Sequence, residues 1–185
     1  MKRVFIIHGW GGSPGEGWLP WLKKELKKRK IKVLVPKMPN TNNPKIETWV
    51  PFLANLVGKS DRDTYFVGHS IGCQTVLRYL QTQEKTGGVV FVAGWFTLTL
   101  DADKEKEIAK PWLETPINFS KIRKTTKKFV AIFSDNDPYV PVENVDFFKK
   151  LGAKTIVENR KGHYTDEAGI TKVPSALGAL LKMME

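Results

Sequence analysis

The sequence predicts an α/β fold, a mostly parallel sheet of about six strands with helices on both faces. Three observations carry that reading. Short β-type runs alternate with helical patterns along the chain. Most of those runs are continuously apolar, the pattern of strands buried on both faces. The 185 residues, 41% hydrophobic and 26% charged, suit one domain with a full-sized core.

The elements follow in order. Val4–Ile7 is the first strand, and His8-Gly9-Trp10-Gly11-Gly12 is the loop after it. Gly17–Lys30 is an amphipathic helix, with Trp18, Trp21, Leu22 and Leu26 on one face and Lys23, Lys24, Lys27, Lys28, Arg29 and Lys30 outside. Ile31–Val35 is the second strand and Ile46–Val57 a helix; Thr64–Val67 and Ile71–Gln81 repeat the pair. Val89–Ala93, Phe129–Phe133 and Lys154–Val157 complete the strands, and Val142–Leu151 is the helix between the last two. Pro174–Met184 is a final helix whose Pro174 fits the first turn, where a missing N–H costs nothing. Trp95–Lys127 is long for a connector and reads either as a helix with an ordinary loop or as a small cap over a cleft. No repeat or linker divides the chain, so a single domain over 1–185 is expected.

Composition narrows the function. No apolar run approaches the roughly 18–20 residues of a membrane span. The basic and then apolar N-terminus meets glycines too soon for a signal peptide, so a cytoplasmic location is the expectation. A single cysteine, Cys73, forbids an intrachain disulfide. Three histidines and one cysteine offer no zinc-type cluster, and no cofactor is expected. The net charge of +11 could serve nucleic acid or anionic substrates, but no zinc-finger spacing or RRM-type aromatic signature accompanies it. The lysine-rich face therefore reads as a solvated helix surface, and nucleic acid is disfavoured as a partner. The oligomeric state is not read from these residues.

Gly68-His69-Ser70-Ile71-Gly72 carries the chemistry. This G-x-S-x-G stands between a strand and a helix, the context of a nucleophile elbow, where a sharp turn holds the serine in a strained conformation. Flanking glycines let neighbouring chain pass close, and the helix N-terminus favours developing negative charge. The other reading is a tight turn whose serine only caps the helix. A serine nucleophile needs a base, and His163 follows the last strand, at the rim where the elbow lies. His8 ends the first strand, and His69 adjoins the serine and should point elsewhere. The base needs an orienting carboxylate. Asp137 is preferred to Asp135, which is placed to form the turn itself. The order Ser70, Asp137, His163 is that of the α/β-hydrolase fold. Two backbone amides should hold the oxyanion: Ile71, directly after the serine, and Trp10, with Gly9 and Gly11 as alternatives. The glycines of the first loop do not form a dinucleotide fingerprint, because Pro14 stands where the third glycine is needed.

With these residues the chain resembles the small α/β-hydrolases typified by retinoblastoma-binding protein 9 and the bacterial YdeN-like proteins. The likeness runs through Val4–Gly9, Trp18–Lys24, Met38-Pro39-Asn40, Gly68–Cys73, Asp135–Pro141 and Gly162-His163. It implies about six parallel strands, little or no cap and a triad of Ser70, Asp137 and His163. The L-x-C-x-E segment linked to retinoblastoma binding does not occur here, so that partnership is not implied. The expected activity is hydrolysis of small carboxylic esters or related acyl compounds, with a small acyl substrate as partner. The alternative is a non-catalytic binding protein that uses its basic surface.

Overall fold

The computed structural model describes residues 1–185. Six strands form one sheet: β1 (Arg3–Ile7), β2 (Lys32–Leu34), β3 (Thr64–His69), β4 (Gly88–Val92), β5 (Phe129–Ser134) and β6 (Lys154–Glu158). Their spatial order is β2-β1-β3-β4-β5-β6, and every neighbouring pair is parallel. Seven helices accompany them: α1 (Leu19–Lys27), α2 (Ile46–Val57), α3 (Ile71–Leu80), α4 (Asp103–Glu114), α5 (Phe119–Thr125), α6 (Asn144–Leu151) and α7 (Pro174–Met184).

Side chains alternate across a strand, so the sheet divides the core in two. Phe5, Ile7, Phe66, Phe91 and Phe133 face the layer built from α2 to α6. Val4, Ile6, Val67, Val90 and Val92 face α1 and α7 on the other side. The lysines predicted outside the first helix are outside: Leu19, Leu22 and Leu26 are buried, while Lys23, Lys24, Lys27 and Lys28 line a shallow groove on the opposite face.

Two helices start later than their patterns suggest, for local reasons. Gly17 has φ +54°, outside the helical region, so α1 begins beyond it at Leu19, and the Gly17 N–H is taken by the Asp166 carboxylate at 2.9 Å. Pro141–Asn144 is a turn closed by the Asn144 amide on the Pro141 carbonyl at 3.0 Å, so α6 begins at Asn144.

The long segment 95–127 is the crossover from β4 to β5 and contains α4 and α5. It is fastened at two places. Asn144 accepts from the Phe96 and Thr97 amides at 2.6 and 3.1 Å and donates to the Thr97 carbonyl at 3.0 Å. Further along, the buried Arg78 of α3 donates to the carbonyls of Trp112 and Thr115 at 2.7 and 3.0 Å. The Trp112 indole donates to the Pro44 carbonyl at 3.0 Å. This segment forms one wall of a cleft through Trp95, Leu98 and Leu100.

The chain leaves β1 toward β2 on one side, and β3 lies on the other. Such a reversal opens a crevice beyond the carboxyl ends of the strands, where ligands of α/β folds bind. The helix after β3 closes tightly on this point. A Cβ on Gly72 would collide with the Ile7 carbonyl oxygen and lie 2.8 Å from that of His8; one on Gly68 would lie 2.6 Å from the Cys73 nitrogen. These obstacles are backbone, which no rotamer change relieves. Gly72→Ala should therefore cost about 2 kcal/mol or more. A thermal melt should show Tm lowered by at least about 5 °C, and an unchanged Tm would contradict the close packing.

Candidate active site

Ser70 sits between β3 and α3 with φ 53° and ψ −121°, a conformation that a non-glycine residue rarely holds. Its amide is fixed by the Val92 carbonyl of β4 at 2.9 Å, and its carbonyl accepts from Cys73 at 2.9 Å. Strain of this kind persists only where the surroundings over-determine it, and it recurs at functional sites. The side chain lies at the floor of the cleft, a cavity of about 540 Å³.

The three side chains expected from the sequence to act together lie in one hydrogen-bonded line. The Ser70 hydroxyl is 2.9 Å from His163 Nε2, and His163 Nδ1 is 2.8 Å from Asp137 Oδ2. The carboxylate accepts at Nδ1, so the proton belongs on Nδ1 and Nε2 is the acceptor facing the serine. Asp137 is almost wholly buried, with 2% of its side chain exposed. Its other oxygen accepts from the Tyr139 and Val140 amides at 2.9 and 3.0 Å, so both oxygens of the carboxylate are engaged. Asp135 lies in the turn after β5, as expected, and its side chain reaches further. It accepts from the Arg160 amide at 2.7 Å and the Asn159 side chain at 2.8 Å, which ties the loop after β5 to the loop that bears His163.

The oxyanion candidates can be sorted by their bonds. The Gly11 amide donates to the Thr41 carbonyl at 2.8 Å and Gly12 to the Gly9 carbonyl at 3.2 Å, which removes Gly11 from consideration. The Trp10 amide has no internal partner, and neither has that of Ile71, at the first position of α3. Trp10 itself is half-buried, with its indole donating to the Asn42 carbonyl at 3.2 Å.

Several residues that hold this arrangement were not singled out from sequence. His69 does point away from the serine: its Nε2 donates to the carbonyl of His163 at 2.8 Å. The Trp18 indole donates to the next carbonyl, Tyr164, at 3.1 Å, and Trp18 packs edge-on against the His69 ring. Asn136 accepts from the Gly162 amide at 2.9 Å, and Ser134 from Lys161 at 2.8 Å. The Tyr164 hydroxyl donates to the Phe133 carbonyl at 2.8 Å, and burial together with Glu158 pushes its phenol up. A polar Ser-Asp-Asn-Asp run directly after a strand was the one available signal; the two aromatic contributions had none.

Burial sets the charge of the other two histidines. His69 is pulled down to about 3, chiefly by desolvation and then by the neighbouring His163. His8 is also lowered by desolvation; its Nδ1 donates to the Gly9 carbonyl at 2.8 Å and its Nε2 accepts from the Met38 amide at 3.0 Å. A proton added to Nε2 would face an N–H. The Cys73 thiol beneath α3 is buried and pushed up, which leaves it unreactive. No three His, Cys, Asp or Glu side chains are grouped to hold a metal ion. No helix is long and apolar enough to cross a membrane.

The chain belongs to the serine hydrolase family, whose model matches residues 4–182. Among individual proteins it is 30% identical over 177 residues to YdeN of Bacillus subtilis, covering 94% of this chain and 91% of that one. The crystal structure of the ydeN gene product matches with a TM-score of 0.91 at 27% identity, covering 100% of this chain and 99% of the other. Serine hydrolase RBBP9 of Rattus norvegicus is 26% identical over 166 residues, 88% of this chain and 87% of its own. Est1E of Butyrivibrio proteoclasticus shares the fold, with a TM-score of 0.76 at 16% identity over 100% of this chain and 90% of that one.

Buried neutral histidines make stability depend on pH. The unfolded chain binds protons near the ordinary imidazole value of 6.5, while folded His69 does not until about 3. Below 6.5 the unfolded state therefore holds more protons, and folding free energy is lost as pH falls. At full linkage the loss from His69 is roughly 2 kcal/mol by about pH 5. Denaturant unfolding at pH 7 and pH 5 should show it, with a smaller difference in His69→Gln. Equal differences in the two proteins would remove His69 as a source.

Proposed function

We propose that this protein is a serine hydrolase that cleaves small carboxylic esters or related acyl compounds through an acyl-enzyme, with Ser70, His163 and Asp137 as its catalytic residues. The observation that carries the reading is the continuous line from hydroxyl to imidazole to buried carboxylate, at 2.9 and 2.8 Å. Membership of the serine hydrolase family supports it.

His163 Nε2 takes the proton of the Ser70 hydroxyl as its oxygen attacks the ester carbonyl. The tetrahedral oxyanion is held by the amides of Ile71 and Trp10 and by the N-terminus of α3. Asp137 keeps His163 in the required tautomer and stabilises the imidazolium. Collapse breaks the ester C–O bond, and the imidazolium gives its proton to the leaving alcohol. A water molecule, deprotonated by the same imidazole, then attacks the acyl-enzyme; the acid departs and the proton returns to Ser70.

The reading as a binding protein rests on the basic face of α1. That face lines a groove that shares no residue with the cleft above Ser70.

A fluorophosphonate probe should label the wild-type protein and fail to label Ser70→Ala. Hydrolysis of a short-chain p-nitrophenyl ester should disappear in the same variant. Asp137→Asn should lower kcat by about 10³–10⁴-fold. Labelling that persists in Ser70→Ala would exclude this serine, and a folded wild type that neither labels nor turns over ester would favour the binding protein.

A further inference from the structure

The cleft and the rest of the molecule differ in charge. The chain carries a net +11, yet no lysine or arginine lines the cavity above Ser70. Four carboxylates do: Glu16, Glu105, Asp166 and Glu167. They come from three separate segments, the loop before α1, the first turn of α4 and the loop after His163. All four are exposed, and none pairs with a basic side chain. Only Asp166 has a side-chain hydrogen bond, from the Gly17 amide.

The histidines of the cleft do not offset this. Burial keeps His8 and His69 uncharged. With its Nε2 donating to His163, His69 leaves Nδ1 as a bare acceptor without a protein partner, on a ring in a residue only 8% exposed. Gly9 stands directly before it: a Cβ there would lie 3.1 Å from Nδ1. Two aromatic side chains, Trp10 and Tyr139, also reach the cavity from partly exposed positions.

From this geometry we infer that the cleft selects substrates carrying an organic ammonium group, so that the preferred esters are cationic. The inference rests on Ser70 being the nucleophile. A cleft lined by one sign of charge focuses its field and concentrates the opposite charge by about 10 to 10³-fold. Aromatic faces add attraction for an ammonium group, and most strongly for a quaternary one. The carboxylates are spread round the rim and no three converge, which suits a bulky organic cation rather than a metal ion. The chemical step is unchanged: water divides the ester into acid and alcohol, and the ammonium group passes through intact.

Butyrylcholine and its uncharged isostere 3,3-dimethylbutyl butyrate have the same shape and differ in charge. At about 20 mM salt, kcat/KM for the cationic ester should exceed that of the neutral one by about tenfold or more. The ratio should fall below about threefold at 0.5 M NaCl, where screening is strong. In the combined variant Glu16→Gln, Glu105→Gln, Glu167→Gln it should approach one; because the ratio is taken within each protein, a loss of folded material cancels. A ratio near one in the wild type at low salt, or one that survives in the variant, overturns the assignment. If neither ester is cleaved, protection of Ser70 from the fluorophosphonate probe by each compound gives the same comparison. Absence of any labelling overturns the hydrolase reading beneath it.

Discussion

The approach of the α3 N-terminus to the end of β1 governs the rest of the site. Gly72 lies so close to the Ile7 and His8 carbonyls that no side chain fits between them. That contact brings the turn containing Ser70 against the loop after β1, so that Ser70 and Trp10 line the same crevice, and the amides of Ile71 and Trp10 are left without internal partners. The positive φ of Ser70 is the conformational cost, and the bond from its amide to Val92 helps to retain it. Separate the helix from the strand and the hydroxyl, the amides and the crevice lose their common frame.

His163 is located differently. It lies on a loop rather than a regular element, and loops are mobile unless their backbone groups are engaged. Here they are engaged from two directions. Ser134, Asp135 and Asn136 grip residues 159–162 from the end of β5, while His69 and Trp18 hold the carbonyls of residues 163 and 164. The imidazole therefore has a fixed base on which Asp137 can set its tautomer. An elbow alone is a strained serine; the clamped loop makes an acceptor available to it in the ground state.

The strands and most helices were legible because their patterns are one-dimensional. Phe66 and Val67 read as a buried run, and the strand–G-x-S-x-G–helix context needs only a dozen residues of local sequence. Pro174 marked the last helix where it begins. What escaped was set by distant partners. Asp166 takes the Gly17 amide across 149 positions, and His69 meets His163 across 94. The choice among Trp10, Gly9 and Gly11 could be narrowed only when Thr41 was seen to occupy the Gly11 amide. The unpaired carboxylates of the rim were invisible for the same reason: three segments far apart in sequence had to be brought round one opening.

The wall formed by residues 95–127 has a further consequence. Asn144 fastens its beginning, and Arg78, a cation buried without a carboxylate partner, fastens the end of α4 through two carbonyls. To swing outward this segment would have to strip a guanidinium of its acceptors inside the protein, a heavy penalty in a medium of low polarity. It is a standing mould rather than a door. Discrimination among incoming molecules then depends on which of them fit a shape already present, and turnover need not wait for any part of this side to close.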